Sequence, residues 1–139
     1  MQWDYKFDVV VVGSGNGALT AALCSHDGGA KTLVIEKSDQ FGGTSATSGG
    51  GVWIPNNRYA KAENVDDSEE DARNYIDSVS PEGMIKDELI ETYLSEGPRM
   101  VDYLHENSQV KYRNLPHYPD YFPDNPGGCL LYTSDAADE

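Results

Sequence analysis

Gly13, Gly15 and Ala18 stand directly after the β-branched run Val9-Val10-Val11-Val12 and open an apolar stretch, Ala18-Leu19-Thr20-Ala21-Ala22-Leu23. The spacing Gly-x-Gly-x-x-Ala suits the binding of a dinucleotide pyrophosphate. Gly13 permits the sharp turn out of a strand, and Gly15 lets bare backbone approach the phosphates. Ala18 is small enough for the helix to lie close on the strand. Ser14 and Gly17 belong to the same turn, and the helix start offers free N–H groups and the positive end of its dipole. Glu36 lies 23 positions after Gly13, followed by Lys37. A carboxylate there accepts hydrogen bonds from a ribose diol and repels a 2′-phosphate. A glycine turn alone is common in α/β units; here strand, turn, helix, strand and terminal Glu agree.

The elements that must position these residues form a strand–helix–strand unit of about thirty residues. Phe7 to Val12 reads as a buried parallel strand. Ala18, Leu19, Ala22 and Leu23 share one helix face, and Asp27-Gly28-Gly29 ends the helix, near His26. Lys31 to Glu36 is the second strand. Beyond it, Phe41 to Asn57 is glycine-rich and weakly periodic, although Val52-Trp53-Ile54-Pro55 is too apolar for a flexible spacer. Asp66 to Asp71 carries helix-start signals, with Asp67 or Ser68 as cap and Ala72, Tyr75, Ile76 and Val79 following at helical spacing. A further helix is predicted over 86–95 with Leu89, Ile90, Tyr93 and Leu94 inward. Gly97-Pro98 breaks it and restarts a helix bearing Met100, Val101, Tyr103 and Leu104. His105 reads as a solvated helix residue. Val110 to Arg113 reads as a strand, and prolines 116, 119, 123 and 126 make Leu115 to Gly128 loop-like.

Composition removes several function classes. The 139 residues carry 10 basic and 24 acidic side chains, a net charge of −14 that argues against nucleic acid as partner. The longest aliphatic run, Val9 to Val12, is far too short for a transmembrane segment. Cys24 and Cys129 provide neither a disulfide framework nor metal spacing, so no metal site is expected and a reducing, cytoplasmic setting is the default.

The Gly-x-Gly-x-x-Ala pattern does not separate flavin from nicotinamide cofactors. The next segment points to flavin. Gly42-Gly43-Thr44-Ser45, then Ser48-Gly49-Gly50, follow the strand-ending Glu36. Paired glycines with hydroxyls present N–H and O–H donors along an extended diphosphate and ribitol chain.

At this point the chain resembles the 3-ketosteroid dehydrogenase group of the fumarate reductase-like flavoproteins. The resemblance rests on Val10 to Thr20, on Glu36-Lys37, on Phe41 to Ala46 with Ser48-Gly49, and on Val52-Trp53-Ile54-Pro55. Asp67-Ser68 with Ala72-Arg73 and Tyr75 also fit. The fold it implies is α/β: the N-terminal part of a Rossmann-like FAD-binding domain with inserted helices. Tyr118-Pro119-Asp120-Tyr121-Phe122 resembles a further piece of these dehydrogenases, in which a Pro-Asp-Tyr tyrosine assists a second tyrosine that removes a proton beside the steroid ketone. Carried over, that role falls on Tyr121; the other reading of Tyr121 is packing in a Pro-rich loop. The implied substrate is a small molecule, a steroid. The implied chemistry is abstraction of an α-proton acidified by a held ketone, with hydride leaving the neighbouring carbon for the flavin. The motifs specify no electron acceptor. Relatives that attach FAD covalently use a histidine in the early glycine-rich loop; Thr44 to Gly51 contains none, so non-covalent FAD is expected. A soluble fumarate reductase-like flavoprotein and a non-catalytic dinucleotide-binding module are the alternatives.

The last eleven residues, Cys129 to Glu139, resemble the translation of a transposon-type sequencing adapter. The expectation is therefore a truncated domain part over 1–128 and a non-native tail over 129–139, without helix or strand logic. Without Asp135, Asp138 and Glu139 the chain stays acidic.

Overall fold

The computed structural model describes residues 4–65, 67–128 and 130–134; Asp66 of the helix-start run and Cys129 and 135–139 of the tail lie outside the described residues. The chain divides into two units, 1–48 and 49–139.

In the first unit, β1 (Val9–Val12) is followed by α1 (Asn16–Asp27) and β2 (Thr32–Ile35). β1 and β2 are parallel, with Val9 opposite Thr32 and Val12 opposite Ile35. The expected strand–helix–strand unit is thus present. Asp8 reinforces the start of the pair: its N–H donates to the Lys31 carbonyl and its carboxylate accepts from the Lys31 N–H, both at 2.9 Å. α1 ends as its glycines require, with Gly28 N donating to Cys24 O and Gly29 at φ +87°. Burial differs from expectation. Val10 and Val12 are exposed while Val9 and Val11 are half-buried, because α1 covers only one face of a two-stranded sheet in this unit. Leu19 is 42% exposed, and the half-buried side of α1 carries Ala18, Ala22 and Leu23.

The second unit holds β3 (Gly51–Val52), α2 (Arg58–Ala62), α3 (Glu69–Val79), α4 (Asp87–Asn107), β4 (Tyr112–Pro119) and β5 (Leu130–Ser134). Its core is Ala72, Ile90 and Leu94, with Trp53 and Ile76 packed against them. The apolar Trp53-Ile54-Pro55 run is therefore structural: Ile54 and Pro55 are buried. α2 was not legible in the sequence. Buried Asn57 nucleates it by accepting from Tyr59 N and Ala60 N while donating to Ile54 O at 2.6 Å. Of the two cap candidates for α3, Ser68 is the cap: its Oγ accepts from Asp71 N at 3.1 Å. The Asp67 carboxylate accepts instead from Asn56 N.

α4 corrects the expected break at Gly97-Pro98, running unbroken over 21 residues. Pro98 removes one helical N–H and costs about 3 kcal/mol. The buried stripe Ile90, Leu94, Gly97, Val101 and Leu104 keeps helical spacing through it, and burying Val101 and Leu104 is worth about 1.5–3 kcal/mol each. Gly97 serves packing: a Cβ there would lie 3.2 Å from Ile54 Cγ2. Leu89, expected inward, is 61% exposed.

Three further expectations are corrected. The segment after Leu115 is not all loop, since β4 continues to Pro119 with a register shift between Asn114 and Pro119. β4 is the outer strand of the antiparallel order β3-β5-β4, where proline is tolerated. Leu130–Ser134, expected to lack strand logic, forms β5; Leu, Tyr and Thr favour a pleated strand. His105 is half-buried rather than solvated. Its Nδ1 lies 2.7 Å from the Tyr59 hydroxyl, which also accepts from Tyr112 N. Burial, then the charges of Arg58 and Lys111, hold the imidazole below its ordinary pKa.

Candidate functional site

The turn between β1 and α1 begins with Gly13 at φ +97°, a left-handed conformation that favours glycine, and Gly13 N donates to Ile35 O at 2.7 Å. Gly15 is the N-cap of α1. Gly15 has no side chain to cap this helix and its first turn holds no acid, so the N–H groups after Asn16 and the dipole remain available to an anion. Gly17 and Ala18 lie in that first turn.

Glu36 follows β2 directly. Its Oε1 accepts from Lys37 N at 2.8 Å and Ser38 N at 3.0 Å, and its Oε2 accepts from Ser14 Oγ at 2.5 Å. The Ser14 hydroxyl, the Ser38 and Lys37 amides and the Ser14 amide lower the carboxyl pKa, outweighing partial desolvation. Lys37 contributes its amide here while its side chain is exposed. A carboxylate has about four acceptor positions; the three close bonds take two on Oε1 and one on Oε2, and the Ser14 amide, the weakest of the four influences, forms no close bond, which leaves one position on Oε2.

The glycine-rich loop is built against the same turn. Gly42 is buried at φ +103°, and a Cβ on it would lie 2.6 Å from Ala46 Cβ, so this position requires glycine. Gly42 N donates to Ser14 Oγ at 2.8 Å. A 3₁₀ turn, Gly43–Thr47, follows. Ser45 Oγ accepts from Asn16 N at 3.1 Å, and a Cβ on Gly15 would lie 3.5 Å from it. Thr44 and Ser48 are exposed, one inside this turn and the other closing it.

The structure therefore gathers Gly13, Ser14, Gly15, Glu36, Gly42 and Ser45 around one turn, with Gly17, Ala18, Lys37, Gly43, Thr44 and Ser48 beside them in the chain. Gly49 and Gly50 fall in the second unit, Gly50 at φ +76°. Asn16 went unassigned in the sequence; its contact with Ser45, 29 positions away, has no sequence signal. The arrangement suits a diphosphate at the bare glycine backbone and an unphosphorylated ribose at Glu36, so the residues present fit a dinucleotide such as FAD.

Tyr121, in the second unit, is 89% exposed. Its neighbour Asp120 is anchored by the Tyr75 hydroxyl. Burial and then the Asp120 carboxylate push Tyr75 up to about 12; burial and the same charge push Tyr93 to about 12. The sequence did not mark Tyr75 or Tyr93 as partners of Asp120.

Residues 8–132 match the family model described as FAD binding domain. The chain is 43% identical over 123 residues to 3-oxosteroid 1-dehydrogenase of Mycolicibacterium smegmatis, covering 88% of this chain and 21% of the relative. It is 44% identical to the Mycobacterium tuberculosis enzyme of the same name, covering 88% of this chain and 22% of that one. Among solved structures, it is similar to 3-ketosteroid Δ1-dehydrogenase from Sterolibacterium denitrificans in complex with 1,4-androstadiene-3,17-dione, with TM-score 0.82 and 41% identity over 92% of this chain and 22% of that one. The chain spans about a fifth of the length of the curated relatives it matches. The match over residues 8–132, on a turn whose backbone and carboxylate suit a dinucleotide, shows that this chain belongs to the FAD binding domain family.

Proposed function

We propose that this chain is the nucleotide-holding N-terminal part of a flavin-dependent dehydrogenase that oxidises 3-ketosteroids, with FAD held non-covalently. The observation that carries this reading is the 43–44% identity to enzymes named 3-oxosteroid 1-dehydrogenase over 123 residues. The absence of histidine from Thr44 to Gly51 supports non-covalent attachment. Cysteine usage supports a cytoplasmic setting, and no described helix is long and apolar enough to cross a membrane.

In this reading the amides of Ser14 and Gly15 and the start of α1 at Gly17 and Ala18 hold the diphosphate, on the turn that Gly13 shapes. Glu36 accepts from the ribose diol, with Lys37 fixing its other oxygen. Gly43, Thr44, Ser45 and Ser48 supply further donors along the cofactor, on the bend that Gly42 shapes. Bound FAD supplies the hydride acceptor. Tyr121 supports a second tyrosine that removes the α-proton; a phenol near its ordinary pKa of about 10 needs such a partner to act near neutrality.

The test is a hybrid of the M. smegmatis enzyme in which residues 8–128 of this chain replace the aligned segment. In it, Tyr121→Phe slows ketosteroid oxidation while the flavin spectrum persists. Undiminished turnover returns Tyr121 to loop packing.

Residues 129–139 are proposed to be adapter-derived, on their resemblance alone. Sequencing the source DNA with a library lacking the adapter then gives different codons after Gly128. The same eleven codons followed by a stop would contradict this.

A further inference from the structure

Ser14 is the residue between Gly13 and Gly15 of the glycine turn, and the proposed function uses its backbone but not its side chain. It is only 3% exposed. Its O–H is committed to Glu36 Oε2 at 2.5 Å, and its oxygen accepts from Gly42 N at 2.8 Å. A hydroxyl so placed has no proton left for a phosphate. It instead joins the β1–α1 turn, the end of β2 and the glycine-rich loop, which are 22 and 28 positions away in sequence.

We propose that Ser14 is a positioning residue: its hydroxyl holds the Glu36 carboxylate so that one acceptor position on Oε2 faces the ribose diol, and it couples the state of that carboxylate to the Gly42 loop. This rests on the reading of Glu36 as the ribose acceptor. The geometry supports it from both sides. Oε1 is occupied by the Lys37 and Ser38 amides, so the carboxylate cannot swing freely, and the Ser14 proton selects which lone pair of Oε2 remains. The short O–H to carboxylate bond is of the charge-assisted kind, and it favours the ionised form. Protonating Glu36 withdraws the acceptor that orients the Ser14 hydroxyl. The Gly42 amide, bonded to the same oxygen, then changes its environment.

The 139-residue chain itself carries the test. In the ligand-free protein, Glu36 is titrated by carbon-13 NMR of its carboxyl while the Gly42 amide is followed in the same samples. The expected result is one shared acid midpoint. Ser14→Ala raises the Glu36 midpoint and uncouples Gly42 from it. Independent midpoints in the wild-type chain overturn the proposal without any variant.

ADP and 2′,3′-dideoxy-ADP are then titrated to millimolar concentration. Wild type prefers ADP by about tenfold, the scale of one charge-assisted hydrogen bond, and Ser14→Ala loses most of that preference, read as the ratio of its own two affinities. A variant that keeps the full preference overturns the role of Ser14 and leaves Glu36 as ribose acceptor. A wild type that shows no preference overturns the Glu36 reading and the proposal with it.

Discussion

Trp53 and Tyr93 lie nearly parallel, their ring centroids 6.1 Å apart and their planes 16° apart, and the Tyr93 hydroxyl donates to the Trp53 carbonyl. Tyr75 completes the group, its ring centroid 5.2 Å from that of Trp53. Both tyrosines feel the negative charge of Asp120, so this cluster holds the residue that precedes Tyr121. Both phenols are pushed to about 12, first by burial and then by Asp120.

The expected spectrophotometric titration follows. Of nine tyrosines, Tyr75 and Tyr93 ionise near pH 12, and Tyr75→Phe or Tyr93→Phe each removes one such step. Their folded pKa lies above the unfolded value of about 10. Their contribution to stability is therefore complete below pH 10 and lost as pH rises toward 12. Asp120→Asn lowers both midpoints. Ionisation of both Tyr75 and Tyr93 well below pH 12, in still-folded protein, contradicts the cluster.

Gly127 supports the loop that follows Tyr121. It has φ +75°, and a Cβ there would lie 1.9 Å from the Asp71 carbonyl oxygen in α3. Gly127→Ala must move backbone, so a loss of about 1–3 kcal/mol in urea unfolding is expected. An unchanged midpoint and slope would show that the loop does not pack there.

Glu36→Ala weakens FAD retention in the hybrid enzyme by about tenfold or more, the scale of a hydrogen bond to a charged group. The carboxyl pKa is lowered chiefly by the Ser14 hydroxyl. Its stabilising contribution is present above the unfolded value and disappears as pH falls through the folded one. Cofactor affinity is accordingly flat through neutrality and declines only below the usual glutamate range of about 4.3. Flavin retention equal to wild type in Glu36→Ala removes Glu36 from the site.

The 139-residue chain alone is expected to hold FAD weakly. Its first unit has a two-stranded sheet with Val10 and 77%-exposed Val12 on an uncovered face, which leaves the cofactor turn poorly supported. Equilibrium dialysis tests this; a stoichiometrically yellow protein contradicts it.

The first unit was legible because its signals are local. A β-branched run, a glycine turn and a small-residue helix face define β1, α1 and β2 within thirty residues. The second unit was harder. Pro98 reads locally as a break, but Ile54 and the helices around it reward a continuous stripe from Ile90 to Leu104. The prolines of β4 read as loop because edge position, which excuses them, is a property of the whole sheet. At the site, the residue types and spacing of Ser14, Glu36, Gly42 and Ser45 marked them as candidates, and the fold brings them to one turn. Their hydrogen bonds to one another, and that of Tyr59 with His105 across 46 positions, arise only when the chain is folded.

The most direct test of the central claim is anaerobic mixing of the hybrid enzyme carrying residues 8–128 with 4-androstene-3,17-dione. The account predicts a yellow protein whose flavin absorbance bleaches on adding the steroid, at a rate that falls in Tyr121→Phe. A folded, flavin-bound hybrid that stays yellow with the steroid would contradict it.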